Sequence, residues 1–271
     1  MLVPGAGHEF PVQGVSWKRR EVLMLANSIG IKADELRFLC SCHKPHMYQS
    51  KYHYLIRIKA LHPNFSVFPT YSLIPEVADS YARQKAVRIL GAPDLHHLHR
   101  VDGQHQLTVV KPLPTTSAGC KFELRNNFVD VHDKGKHGTV IETEQSIVNR
   151  ESGELYTNVV SSGPSTVNYP PPKGKVPNAT HVVQSNSEAT RLYREVLISM
   201  VTIALSTPTP EPDQKMSFGG AIFHGCFSCD SAAHGVLREL GGSNSINMKE
   251  YQARFGSLSS PVKDLPLKFE E

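Results

Sequence analysis

The spacing of apolar residues predicts an amphipathic helix near the start of the chain, in SWKRREVLMLANSIG, residues 16–30. The positions that recur at helical spacing are Val22, Leu25, Ala26 and Ile29. Ser16 is a suitable N-cap for this helix, and Gly30 can end it in the left-handed conformation. We therefore expect one helix here, with a single buried face.

Further along, the apolar spacing changes to the two-residue alternation of strands. The segments with this pattern are QLTVVKPLP, KFELRNNFVDVHD, TVIETEQSIVNR and ELYTNVVSS. Two of the joins between them, DKGKHG and RESGE, have the composition of tight turns. The middle segments alternate apolar and polar residues, which predicts an antiparallel sheet with one buried face and one wet face.

The second half of the chain repeats the order helix then strand. HGCFSCDSAAHGVLREL, residues 224–240, predicts a helix that a Gly pair ends, and YQARF predicts a strand after it. The apolar positions near helical spacing in that helix are Phe227, Ala232, Val236 and Leu240. Residues 163–180 are dense in Pro, Gly and Asn and predict a linker. Two similar units, residues 1–162 and 181–271, are therefore expected.

Composition narrows the class of protein. Of the 271 residues, 39% are hydrophobic and 20% are charged, which favours a folded core over global disorder. The net charge is +4 with no Lys/Arg stripe, so no nucleic-acid partner is predicted. The uncharged run VLISMVTIAL is shorter than the about 20 residues that span a bilayer, so no membrane partner is predicted. The lack of a signal-peptide layout and the odd, scattered cysteines favour a cytoplasmic, reducing compartment.

The cysteines and histidines also allow a zinc-site hypothesis. Cys226 and Cys229 form a C-x-x-C pair, which two cysteines and two histidines of CSCHKPH, residues 40–46, could complete. The alternative is that the helix cysteines pack as small core residues and that the histidines of LHHLHR lie in a solvated loop. We prefer this alternative, so neither a metal nor a cofactor is predicted.

The glycine-rich segment FGGAIFHG, residues 218–225, precedes the second helix. Gly225 would present its backbone N–H in the first helical turn, where such groups have no partner within the helix. This position can hold a developing oxyanion, such as the oxygen of a thioester enolate. The alternative is that the glycines serve only a tight turn, and the pattern alone leaves both interpretations open.

Several segments, read together and in order, resemble one known family. The segments are SWKRREVLMLANSIG, LHPNFSVFPTY, VDGQHQLTVVKPLP, DVHDKG, TVNYPPPKGKVPNATH, FGGAIFHG and KEYQARF. In this order they resemble the MaoC-like (R)-specific 2-enoyl-CoA hydratases (hydratase 2), especially the fungal, peroxisomal-type members. The resemblance implies an α+β, double hot-dog fold, in which each of two antiparallel sheets wraps a central helix. Residues 1–162 would then bind the acyl chain, and residues 181–271 would carry the hydratase site.

The resemblance also implies a reaction and a set of site residues. Such enzymes add water across the trans-2 double bond of an acyl-CoA with an Asp and a His as acid and base, while a backbone N–H polarises the thioester carbonyl. Gly225 would be the oxyanion donor. The residues that would line the substrate site are Asp102, Gly103, Lys134, Gly225 and Phe255. The CoA thioester is the substrate and no cofactor is needed. A homodimer and a peroxisomal location are further implications, although the C-terminus KFEE is not an SKL-type address.

The family's acid–base segment, G-D-x-x-P-L-H, does not stand at its expected place between LYR and FGG. The apolar run VLISMVTIAL, within residues 195–210, stands there instead. Reading from the third base of each codon, the codon that spans Met200 and Val201 is GGT, which encodes glycine. The next codons are compatible with D-Y-S-P-L-H, ending across Ser206 and Thr207. We therefore hypothesise a reading-frame or splice-boundary error over the acid–base motif.

Other departures fit the same hypothesis. Residues 40–60 interrupt a stretch that the family reads almost continuously, and they resemble a translated intron. A closing strand of the first half is missing before Gly163, and the chain stops short of the family's last strands, so an incomplete fold is expected. We predict little or no hydratase activity for the chain as written. The alternative function is a non-catalytic acyl-CoA-binding hot-dog protein.

Overall fold

The computed structural model describes part of the chain. The described residues are 5–32, 34–35, 37–39, 65–75, 104–133, 135, 139–161, 174, 181, 191–193, 225–239, 248–257, 260–263 and 267–269. For Gly225 and for the strands that follow it, the description is of the backbone alone. The predicted insertion at 40–60, the predicted acid–base segment at 195–210 and nearly all of the predicted linker at 163–180 lie outside the described residues.

The described elements confirm the predicted alternation of helix and sheet. In chain order they are β1 (His8–Glu9), β2 (Gln13–Val15), α1 (Arg19–Ser28), a 3-10 helix (Pro69–Ser72), β3 (Gln104–Val109), β4 (Phe122–Asp133), β5 (Thr139–Asn149), β6 (Leu155–Ser161), α2 (Gly225–Glu239), β7 (Met248–Ser257), β8 (Ser260–Lys263) and β9 (Leu267–Phe269). Within the described residues no helix is long and apolar enough to cross a membrane.

All the described strands belong to one antiparallel sheet. Its order is β1-β4-β5-β6-β3-β7-β8, with β2 also paired to β4 and β9 also paired to β7. Strand β3 therefore stands between β6, which precedes the predicted linker in the chain, and β7, which follows it. An antiparallel sheet with few helices confirms the α+β class among the described residues.

Helix α1 begins later than predicted. Trp17 is buried, and its backbone N–H donates to the Ser117 hydroxyl at 2.9 Å, which ties the chain to a distant loop just before the helix. The helix follows with Lys18 as its N-cap residue, and the Glu21 carboxylate accepts a hydrogen bond from the Lys18 N–H at 2.6 Å. The expectation that Ser16 caps the helix is thus wrong. The predicted end is confirmed, because Gly30 has a φ of 83°.

The predicted buried face of α1 is confirmed, since its members Val22, Leu25, Ala26 and Ile29 are all buried. Strands β4, β5 and β6 lie where the alternation predicts them. Strand β3 ends at Val109, earlier than QLTVVKPLP suggests. The prolines at 112 and 114 have no N–H to donate to a neighbouring strand, which explains the early end.

Helix α2 packs on a face that only partly matches the predicted one. Phe227 is buried, as predicted, whereas Ala232 and Val236 are half-buried and Leu240 lies outside the described residues. The other buried apolar positions are Cys226, Cys229, Ala233 and Leu237. These mostly small side chains let α2 join one continuous core with Trp17, Phe68, Leu107 and Tyr193. Cys226 and Cys229 therefore lie in the core, as predicted.

Candidate active site at the start of helix α2

Three segments converge at the N-terminal end of α2. Backbone pairing sets Gln104 of β3 opposite Arg254 of β7. Cys226, the second residue of α2, lies with its sulfur 4.0 Å from Nε2 of His105, which follows Gln104 in β3. The start of α2 therefore lies against β3, beside the part of β7 that contains Phe255.

The structure brings two of the predicted site residues to this place. Gly225 is the first residue of α2, as predicted. Phe255 directly follows Arg254 in β7 and pairs with Val262 of β8. Asp102 and Gly103 lie outside the described residues, although they immediately precede β3.

Lys134 also lies outside the described residues, but the residues on both sides of it form a tight turn. Asp133 ends β4, and its carboxylate accepts a hydrogen bond from the Gly135 N–H at 2.7 Å. Gly135 has a φ of 58°, which favours glycine at that position. Asp133 and Gly135, the described residues of the predicted turn, thus have the hydrogen bond and the positive φ that turns favour.

The first turn of α2 is suited to an acceptor oxygen. Its leading N–H groups have no partner within the helix, and the aligned peptide dipoles make this end partially positive. No acidic side chain occupies the first turn of α2 to neutralise that end. A carbonyl oxygen placed at Gly225 would therefore meet a donor and a favourable electrostatic field.

A buried polar cluster lies beside this turn. Its centre is His105, which is 2% exposed and stands directly opposite Ser161 in the pairing of β3 with β6. Nδ1 of His105 lies 3.0 Å from the Ser161 hydroxyl, while Nε2 faces the Cys226 sulfur. The imidazole is thus held between a hydroxyl and a thiol.

One turn further along α2, Asp230 is fully buried. The Tyr193 hydroxyl, also buried, donates a hydrogen bond to Oδ2 of Asp230 at 2.6 Å. Burial raises the pKa of Asp230 to about 7, and the Tyr193 and Thr70 hydroxyls and His105 offset part of this effect. Burial and the Asp230 carboxylate raise the pKa of Tyr193 well above its usual value. This carboxyl therefore takes up or releases a proton near neutral pH, as an acid–base group must.

The other end of α2 carries a charged cluster. Nε2 of His234 donates to both oxygens of Glu35 at 3.0 and 2.9 Å, and both residues are buried. Arg238 lies 2.9 Å from the same carboxylate and 3.3 Å from Asp34. The Arg238 hydrogen bond lowers the pKa of the Asp34 carboxyl. This cluster joins α2 to the segment that follows α1.

Sequence reasoning missed four members of the buried cluster, namely His105, Ser161, Tyr193 and Asp230. A signal existed for His105, because it shares the alternation of β3 with the buried residues Leu107 and Val109. A signal also existed for Asp230, a carboxyl among the small residues of a core helix. The zinc hypothesis is not tested here, since residues 40–46, which would complete its ligands, lie outside the described residues.

Comparison with solved structures identifies the class of fold. The structure is similar to full-length peroxisomal multifunctional enzyme type 2 from Drosophila melanogaster, with a TM-score of 0.64, 20% identity, and coverage of 91% of this chain and 40% of that one. It is also similar to a MaoC-like dehydratase from Phytophthora capsici, with a TM-score of 0.61, 19% identity, and coverage of 96% of this chain and 84% of that one. These likenesses establish a hot-dog-like α+β fold of the MaoC dehydratase type.

The sequence comparisons define the family. Residues 15–163 match the family model of the MFE-2 hydratase 2 N-terminal domain. The chain is 34% identical to "Probable dehydratase NIT22" of Ajellomyces capsulatus over 280 residues, which is 94% of this chain and 67% of that protein. The chain belongs to the MaoC-like hydratase 2 family of dehydratases. It spans 40% of the length of the Drosophila enzyme, so it corresponds to a part of that larger protein.

Proposed function

We propose that this chain is built on the scaffold of an (R)-specific 2-enoyl-CoA hydratase and binds acyl-CoA thioesters at the start of α2. The observation that carries the proposal is the position of Gly225 at the first residue of α2, against β3 and β7. There its N–H would donate to the thioester carbonyl, and residues Asp102, Gly103, Lys134 and Phe255 would line the CoA or acyl site. Lys134, as a cation beside a tight turn, suits a phosphate of CoA.

We further propose that the chain as written turns over little or no substrate. Residues 195–210, where the family's acid–base motif is expected, hold neither Asp nor His. General acid–base catalysis typically contributes about 10²–10⁴-fold, so its loss leaves binding with little chemistry. The function of the chain as encoded is then that of a non-catalytic acyl-CoA-binding protein, while the same gene with the motif restored would encode the hydratase.

Family membership supports two further parts of the proposal. One of the similar structures is a peroxisomal enzyme, so we place the protein in the peroxisome, within fatty acyl-CoA metabolism. We also propose a homodimer and a division into an acyl-binding half, residues 1–162, and a hydratase half, residues 181–271.

The test of the binding site uses two substitutions at one position. Gly225→Pro removes the backbone N–H, and proline is well tolerated at the first position of a helix. Gly225→Ala keeps the N–H and is the matched control. Isothermal titration with decanoyl-CoA should show an affinity for the proline variant that is roughly 3- to 10-fold weaker than for the alanine variant, which is the typical loss of one hydrogen bond. Equal affinities for the two variants would contradict a carbonyl bound at this N–H.

A further inference from the structure

The proposed hydration does not use the pair of Cys226 and His105. The Cys226 sulfur lies 4.0 Å from Nε2 of His105, and Nδ1 of the same ring lies 3.0 Å from the Ser161 hydroxyl. Cys226 and His105 are at most 2% exposed. A nucleophile, a base and a group that orients the base thus lie in one row, which is the arrangement that activates a thiol.

The position of Cys226 in the helix favours its reaction with a bound thioester. Cys226 is the second residue of α2, next to Gly225. Helical side chains tilt toward the N-terminus, so this sulfur points toward the end where the carbonyl would be held. A helix N-terminus favours thiolate formation, and a neutral histidine within reach can take the thiol proton, which offsets the opposing effect of burial. The same first-turn N–H groups would stabilise the oxyanion of a tetrahedral adduct.

Incompletely bonded polar atoms lie next to the pair. Oδ1 of Asp230 and the Thr70 hydroxyl are buried and form no hydrogen bond of standard length among the described residues, although the Thr70 hydroxyl is close enough to lower the pKa of Asp230. Asp230 stands one turn after Cys226 on the same face of α2, and its side chain tilts back toward the sulfur. Buried polar atoms are normally bonded, so these atoms mark a place for a polar group of a ligand or a water molecule.

We propose that Cys226 accepts the acyl group of a bound acyl-CoA by thioester exchange. In this step His105 takes the thiol proton, and the Cys226 sulfur forms a bond to the carbonyl carbon. The bond between that carbon and the CoA sulfur breaks, and His105 returns the proton to the CoA thiolate. The products are S-acyl-Cys226 and free CoA, with no oxidation or reduction. The inference rests on the proposed binding of acyl-CoA at the start of α2.

The experiment incubates the full chain with decanoyl-CoA and measures intact protein mass, free CoA and the modified peptide. We expect one acyl group on Cys226, released by neutral hydroxylamine, with one equivalent of CoA formed. Cys120 is an internal control because it is exposed, whereas Cys226 is buried. Acylation of Cys120 in preference to Cys226 would show only the uncatalysed reaction of an accessible thiol and would overturn the proposal.

Matched variants separate this step from binding and from folding. Cys226→Ala should abolish acylation, while Cys229→Ala, a change at another buried cysteine of the same helix, should leave it unchanged. His105→Gln should slow acylation about 100-fold or more. The circular dichroism spectrum of this variant shows whether the protein still folds. A ketone analogue of decanoyl-CoA, in which a methylene group replaces the thioester sulfur, keeps the carbonyl but cannot transfer an acyl group, so its binding tests the proposed function separately. Binding of this analogue without acylation of Cys226 would overturn the exchange step alone, whereas absence of both would overturn both proposals.

Discussion

The two ends of helix α2 are built in opposite ways. At its C-terminal end, Arg238 forms ion pairs with Glu35 and Asp34, and His234 donates a hydrogen bond to the Glu35 carboxylate. At its N-terminal end, the buried groups are a thiol, an imidazole and the Asp230 carboxyl, and this carboxyl has an oxygen without a partner among the described residues.

This difference indicates a structural role for the C-terminal end of α2 and a functional role for its N-terminal end. A polar network whose members are paired holds one arrangement, and the C-terminal cluster, with buried Glu35 and His234 at its centre, in this way fixes α2 to the segment after α1. A buried carboxyl whose pKa is shifted to near neutral, as that of Asp230 is, is typical of functional sites. The effects of substitutions on the free energy of unfolding should therefore differ between the two ends in size, in pH dependence and in sign.

The largest effect is expected at the charged end. Glu35→Ala removes a buried carboxylate that accepts a hydrogen bond from His234 and forms an ion pair with Arg238, and breaking such a pair typically costs about 3–5 kcal/mol of unfolding free energy. Urea denaturation measures this loss. Asp34→Ala removes an exposed partner of Arg238 and is the control, with an unfolding midpoint close to that of the parent. Equal losses in the two variants would contradict a specific role for the buried pair.

At the other end, stability should depend on pH through Asp230. The pKa of this carboxyl is about 7 in the folded protein, above its ordinary 3.8, so the folded state retains a proton that the unfolded state has lost. Its contribution to stability therefore falls as the pH rises from about 4 to about 7. The cost at pH 8 is on the order of 4 kcal/mol relative to Asp230→Asn, which does not titrate. Denaturation of both proteins across this range should give diverging curves, and parallel curves would show that the carboxyl is ionised throughout.

A smaller effect is expected at Gly235, between the two ends. A Cβ at this position would overlap the His181 ring, so Gly235→Ala should destabilise by about 1–2 kcal/mol even though alanine is the better helix former. In a His181→Ala background the overlap is gone. There the same substitution should stabilise by about 1 kcal/mol, and a thermal melt of the four proteins tests this reversal of sign.

The smallest effect is expected at Thr70. Its buried hydroxyl lowers the pKa of Asp230 but forms no hydrogen bond of standard length among the described residues, so Thr70→Val should change stability by less than about 0.5 kcal/mol. The comparison is Ser28→Ala, which removes a buried hydroxyl that donates to the Leu25 carbonyl at 2.8 Å and should cost about 1 kcal/mol. A loss at Thr70 as large as at Ser28 would reveal a bound partner for the hydroxyl.

Much of the fold could be predicted from local pattern, because alternation and turn composition identify β4, β5 and β6 within a few residues. The start of α1 could not be predicted in this way, since the hydrogen bond between Trp17 and Ser117 joins residues 100 positions apart. The pairing of β3 with β7 could not be predicted either, because periodicity identifies strands but does not show which strands are neighbours.

In the candidate site, too, one feature could be predicted from local sequence and others could not. The position of Gly225 at the start of α2 follows from the glycine-rich segment and was predicted. The pairs Tyr193 with Asp230 and His234 with Glu35 are separated by 37 and 199 positions and leave no local pattern. These polar residues are recognised as candidates for function because they are buried, and their burial depends on the whole fold.

The central claim is that the scaffold of a hydratase is retained while its acid–base pair is absent from the chain as written. The most direct test replaces residues 201–207, VTIALST, with GDYSPLH and compares hydration of 2-decenoyl-CoA by the two proteins. We predict no measurable turnover for the chain as written and a gain of at least about 100-fold on replacement. Turnover by the unaltered chain as fast as that of the replaced one would contradict the claim.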